Sequence, residues 1–172
     1  MKMKRIIAPK SAWDRIALDF NGPYSKFGGI SILVVVVDYR SRYLIARPIK
    51  STNFEHTKVI LEQIFEREGF PSSMKSDNGP PFNSDDYKAF CRERGMNKIF
   101  STSLFPQQNG VVEGYMKLVN KAMATAISSG TNYAEELKAA VDAHNSAAHS
   151  ITRVPPEEVM MGRKIRRRFH FA

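Results

Sequence analysis

The run ISILVVVVD at residues 30–38 decides the fold. β-Branched residues crowd it, and such side chains pack well on a pleated surface but lose rotamer freedom in a helix. Apolar side chains fall at odd and even positions alike, which predicts a central strand buried on both faces. Working outward, residues 13–20 alternate, with Ile16, Leu18 and Phe20 on one side and Arg15, Ala17 and Asp19 on the other. That is the pattern of a half-buried strand. Residues 42–49 predict a third strand after a short turn at 39–41, with Pro48 suited to its end or to a sheet edge. Three strands joined by short loops make an antiparallel meander.

Helices follow. Thr52-Asn53-Phe54-Glu55 reads as a capping box, and Phe54, Thr57, Ile60, Leu61, Ile64 and Phe65 then recur at helical spacing until Gly69 and Pro71. Residues 74–76 predict a short strand that delivers Asp77 to a turn at Asn78-Gly79-Pro80-Pro81. Ser84 caps a second helix, with Tyr87, Phe90 and Cys91 facing in and Gly95 closing it. Residues 97–101 predict another strand, and 102–110 a loop into a long helix. On that helix Tyr115, Leu118, Val119, Ala122, Met123, Ala126 and Ile127 form one apolar stripe, while Glu113, Lys117, Asn120, Lys121 and Ala124 gather opposite. Asn132 and Glu135 begin a further helix with Tyr133, Leu137, Ala140, Val141 and His144 facing in. Pro155-Pro156 starts a last short helix that ends at Gly162. The order of elements predicts a mixed α/β fold with helices on both faces of one sheet.

The chain has 172 residues, 42% hydrophobic and 25% charged, which bounds it to one globular domain of ordinary size. No apolar run approaches the roughly 18 residues of a membrane span, and the start lacks the apolar stretch of a signal peptide. A single cysteine, Cys91, excludes an internal disulfide and any multi-cysteine zinc site and fits a reducing, intracellular setting. His56, His144, His149 and His170 form no metal spacing with it. Lys and Arg number 26 against 17 Asp and Glu, a net charge of +9. A domain this basic predicts a polyanionic partner, nucleic acid first. Part of the excess lies at the ends, in MKMKR (1–5) and GRKIRRR (162–168).

Three acids are placed where carboxylates carry chemistry. Asp19 falls on the face opposite Ile16 and Leu18, and a carboxylate near the middle of a sheet is costly unless it is paired or bound to metal. Asp77 falls at a strand end, where sites gather in open sheets, although an Asp before Asn-Gly also serves a turn. Glu113 sits in a first helical turn, where the helix dipole favours a carboxylate for structural reasons alone. Between Asp77 and Glu113 lie 35 residues, 78 through 112.

That set resembles the D,D-35-E signature. WDRIALDFNGP, VVVVDYRSRYLIARPI, SDNGPPFNSDDY and PQQNGVVEG resemble, in order, the segments that surround it. Over residues 11–165 the chain resembles the catalytic core of retroviral-type integrases, nearest in character to those of gypsy-like LTR retrotransposons. The resemblance implies a ribonuclease H-like α/β fold, a mixed five-stranded sheet with helices on both faces. It implies a core at 11–162 between a basic lead at 1–10 and a basic exit segment at 163–172. It implies a nucleotidyltransferase with DNA endonuclease activity that trims the 3′ ends of element DNA and joins them to target DNA. Mg²⁺, with Mn²⁺ able to substitute, would be held by Asp19, Asp77 and Glu113 as catalytic and metal-binding residues. Asp19 would bridge two ions about 3.5–4 Å apart, and Asp77 and Glu113 would hold one each.

DNA is the implied partner, touched by the loop residues Gln108, Asn109 and Gly110 and by Lys117, Asn120 and Lys121 on the helix face. A homodimer or larger assembly is implied, with an exposed apolar residue such as Trp13 as an interface candidate. No membrane and no small-molecule substrate are expected, and the location implied is the nucleus, reached through the cytoplasm. The zinc-binding N-terminal module and the small C-terminal domain of full integrases are expected to lie outside this sequence, which then reads as the core of a larger protein. The chain departs from the family at Gly114 and Met116, where the family commonly carries Arg and then Asn. An alternative reading is therefore a domesticated or decayed core that binds nucleic acid or protein without catalysis. Ribonuclease H proper uses a similar acid cluster but lacks the glutamate-loop motif.

Overall fold

The computed structural model describes residues 9–24, 32–100, 110–150 and 152–163. Five strands form one sheet: β1 Arg15–Asn21, β2 Ile32–Asp38, β3 Leu44–Ile49, β4 Ser73–Ser76 and β5 Asn97–Phe100. Their order is β3-β2-β1-β4-β5. The first three pair antiparallel, while β4 pairs parallel to β1 and β5 parallel to β4. The helices are α1 Phe54–Glu68, α2 Asp85–Glu93, α3 Gly110–Ser129, α4 Tyr133–Ser146 and α5 Pro156–Met161. This is the expected ribonuclease H-like arrangement, a mixed sheet covered on both faces.

β2 shows why. Val34 and Val36 join a core with Leu61, Phe65, Tyr87, Phe90 and Met160, which come from α1, α2 and α5. Leu33, Val35 and Val37 join a second core with Tyr115, Val119, Met123 and Leu137, which come from α3 and α4. A strand with apolar side chains on both faces needs cover on both sides, and the helices divide accordingly. Pro48 lies on β3, which is an edge strand. The open side of that edge is held at one residue: Asn145 accepts from the Leu44 N–H and donates to the Leu44 carbonyl, both at 2.9 Å.

Several local expectations are corrected. β1 begins at Arg15 rather than at residue 13, and β3 at Leu44 rather than at 42, with Trp13 and Arg42 both at positive φ in the turns before them. Trp13 is not an exposed interface residue; it is 4% exposed, its indole donates to the Gly69 carbonyl at 2.8 Å, and its N–H donates to Asp38. Asp38 also accepts from the Ser41 N–H and hydroxyl. It is fully buried, and that burial pushes its carboxyl up in spite of these donors. The cap of α1 is Asn53, which accepts from the His56 N–H at 2.9 Å, instead of the Thr52 and Glu55 capping box. Ser84 and Asn132 cap α2 and α4 as expected. On α3 the apolar stripe holds through Ala126, but Ile127 is exposed.

At the far end, α5 is tied back to α1. The Arg163 guanidinium pairs with the Glu68 carboxylate at 2.5 Å and donates to the Glu68 carbonyl at 3.1 Å.

Candidate active site

Register builds the site. Along β1, Arg15, Ala17 and Asp19 leave one face of the sheet, because strand side chains alternate. β4 runs parallel with Lys75 beside Ala17, so Lys75 and Asp77, two residues apart, leave that same face and Asp77 continues the register toward Asp19. The first turn of α3 closes the space from the helix layer. Asp19, Asp77 and Glu113 thus line one cavity of about 500 Å³, with Lys75, Lys117 and Asn120. The structure brings the three acids to the lining of one cavity. A larger depression of about 580 Å³ lies along β3 between α1 and α4, and none of the three acids reaches it.

The three carboxylates differ in setting. Asp19 is half-buried and its Oδ1 accepts from the Phe20 N–H at 2.8 Å. Burial pushes its carboxyl up, the Phe20 N–H holds it back, and the charge of Asp77 pushes it up again, with the rise prevailing. Asp77 is exposed and its Oδ1 accepts from the Gly79 N–H at 2.9 Å, so it also serves the turn. Glu113 is exposed in the first turn of α3.

Among the described residues, no three His, Cys, Asp or Glu side chains stand together at the spacing that holds a metal ion. Like charges repel, and one Asp77 oxygen is engaged by Gly79. The donor set nonetheless fits a hard divalent cation. It offers carboxylate oxygens from three elements, one of them already desolvated and pressed by its neighbour's charge, which a cation would relieve.

The nucleic-acid candidates divide. Gln108 and Asn109 lie outside the described residues, and Gly110 opens α3. Lys117, Asn120 and Lys121 all lie on the exposed side of α3. Lys117 and Asn120 line the cavity together with Met116. The Asn120 carboxamide oxygen is engaged within the fold, accepting from Asn21 Nδ2 at 2.8 Å and from the Tyr24 hydroxyl at 2.9 Å. Asn21 Nδ2 also meets the Met116 sulfur at 3.4 Å.

Two residues of the cavity were not singled out from the sequence. Lys75 is buried beside the Tyr39 ring, with its Nζ 5.9 Å from the ring centroid, and burial followed by the charge of Arg15 holds its ammonium below the ordinary value. Tyr39 lines the same cavity, and its hydroxyl is buried with no hydrogen-bond partner among the described residues. A period-two count back from Asp77 finds Lys75; for Tyr39 the signal is its place one residue past β2.

Comparison with known proteins bears on this geometry. Residues 14–103, just over half the chain, match the family model described as integrase core domain. The match takes in Asp19 and Asp77 and stops short of Glu113. The chain is 28% identical over 172 residues to the uncharacterized protein K02A2.6 of Caenorhabditis elegans, covering 96% of this chain and 13% of that protein. It is 28% identical over 151 residues to the transposon Tf2-3 polyprotein of Schizosaccharomyces pombe, covering 86% of this chain and 11% of the polyprotein. It therefore spans a small part of these relatives.

Among solved structures, the catalytic core domain of BIV integrase superposes with a TM-score of 0.70 at 22% identity, covering 86% of this chain and 93% of that one. A chain of the simian T-cell lymphotropic virus intasome, solved in complex with PP2A regulatory subunit B56 gamma, superposes with a TM-score of 0.80 at 17% identity. That superposition covers 95% of this chain and 60% of that one.

Proposed function

The chain belongs to the integrase core domain family, and on that premise we propose that it is a divalent-metal-dependent polynucleotidyl transferase and DNA endonuclease of a gypsy-like retrotransposon. The observation that carries this reading is that Asp19, Asp77 and Glu113, from β1, the end of β4 and the start of α3, line one cavity. In this reading the substrate is DNA. Water first cleaves a phosphodiester near the 3′ end of element DNA, and the freed 3′-OH then attacks a target-DNA phosphorus and displaces the target strand's own 3′ oxygen, which leaves as a hydroxyl. Asp19, Asp77 and Glu113 would hold Mg²⁺ or Mn²⁺. Such an ion, when bound, supplies Lewis-acid stabilisation of the attacking and leaving oxygens and lowers the pKa of the attacking water or hydroxyl.

The protein's own side chains position the DNA. Lys117 and Lys121 present cations from α3 to the phosphate backbone, and the Asn120 amide group lies on the same face. The partially buried Asp19 anchors the site on β1, the middle strand of the sheet. We place the activity in the nucleus, on DNA held by a homodimer or larger assembly.

The test is a branched DNA that mimics the joined product, incubated with the chain and Mn²⁺ or Mg²⁺. Cleavage of the joint is expected in the wild type and loss of it in Glu113→Gln, with circular dichroism unchanged. A second reading, a core that binds without cutting, draws on the separation of the three acids in the structure. It predicts no cleavage with either ion and equal DNA binding by wild type and Glu113→Gln, and that result overturns the catalytic reading.

A further inference from the structure

The cavity has two basic sides. Lys117 reaches it from α3, and Lys75 reaches it from the sheet below. Lys75 is only 7% exposed, and its side chain lines the cavity beside Asp77. Strand geometry puts it there: it leaves the same face as Asp77, and the residue opposite it on β1 is the small Ala17, which leaves room for a long stem. The Tyr39 ring lies alongside its ammonium, which limits where the head group can turn. Arg15 and Ala17 of β1 leave the same face as Lys75, so this side of the sheet carries a second cation.

A DNA strand seated here faces a difficulty that three carboxylates create. Each phosphodiester carries a negative charge, and without a divalent ion Asp19, Asp77 and Glu113 repel it. Lys117 offsets this from the helix side alone. A cation fixed on the sheet side would hold the phosphate from below and so define its distance to Asp19 and Asp77.

We infer that Lys75 is a DNA-positioning residue, its ammonium binding a phosphate oxygen of the strand seated over Asp19 and Asp77, opposite Lys117. The inference rests on the nucleic-acid reading given above. Its place on a strand matters, because a group on a rigid element holds a substrate more closely than one on a loop.

The test reads DNA binding in EDTA, without metal. The wild-type chain and its variants are titrated with a fluorescent branched duplex across a salt series. Each lost phosphate contact reduces the slope of log affinity on log salt by about 0.9. Lys75→Gln is expected to lose about that much slope, and Lys75→Arg to keep it. Lys75→Met retains the apolar stem and reads the same slope where the glutamine variant folds poorly; thermal melts accompany all three. A lysine with a merely structural role moves the melting temperature and leaves the slope of the folded variants unchanged, and that outcome overturns the inference. Absence of binding by the wild-type chain overturns the nucleic-acid reading itself. Normal wild-type binding with an unaltered slope in both neutral variants removes only the role of Lys75.

Discussion

Gly114 stands one position past Glu113 on the exposed side of α3, and a Cβ added there meets nothing within 4 Å. Glycine within a helix costs roughly 0.5–1 kcal/mol against alanine, through lost backbone freedom alone. Gly114→Ala is therefore expected to raise stability by up to about 1 kcal/mol in urea unfolding, and a loss of stability would show that position 114 is not open helix. Gly114→Arg fits the same space. On the integrase reading it raises the rate of joint cleavage over wild type; an unchanged rate assigns the glycine no catalytic cost.

At this scale the sequence showed the acids more clearly than their surroundings. Asp19 and Asp77 stand out because carboxylates at such places need a reason. Lys75 did not, since a lysine in a four-residue strand reads as a solvated spacer until the parallel register with β1 turns it toward the cavity. Trp13 failed as an interface residue for a related reason: its burial depends on the Gly69 carbonyl, 56 positions away.

Among the elements, α5 is tied to α1 through Arg163 and Glu68. Arg163 and Glu68 have side chains 7% and 11% exposed, so each is poorly placed to recover water if its partner is removed, and the exposed Arg67, 3.6 Å from the Glu68 carboxylate, compensates only in part. Removing one member of a buried pair costs about 3–5 kcal/mol. Arg163→Ala is expected to lower the stability of the chain by about that amount in chemical denaturation, while the double substitution with Glu68→Gln recovers part of it. A loss below about 1 kcal/mol would show the pair to be solvated. Helices were legible where periodicity and caps were strong. The stripe on α3 emerges nearly whole because its length samples many turns. The start of α1 was misplaced by one residue, because Thr52 and Asn53 are both good caps and only the tertiary setting selects the asparagine.

For the whole molecule, an ion that binds only the folded state raises stability by RT ln(1 + [L]/Kd), about 2.7 kcal/mol at a hundredfold excess over Kd. Mn²⁺ is expected to raise the melting temperature of the wild-type chain in a saturable manner and to do so much less in Asp19→Asn. An equal rise in that variant would assign the ion to another place. The meander and its double cover were legible from residues 13–49, since β2 cannot be apolar on both faces without two layers of helix. The placement of β4 and β5 was not, because four residues carry little periodicity and the choice of partner strand is made by the crossover helices.

The sheet also has to stop somewhere. An edge strand is a template on which a second molecule can add its own strand. On β3, Leu44 has both backbone groups occupied by a carboxamide, and Pro48 brings no N–H to offer. Many copies crowded together therefore meet side chains at this border, and growth of one molecule's sheet into the next is interrupted at both ends of the strand.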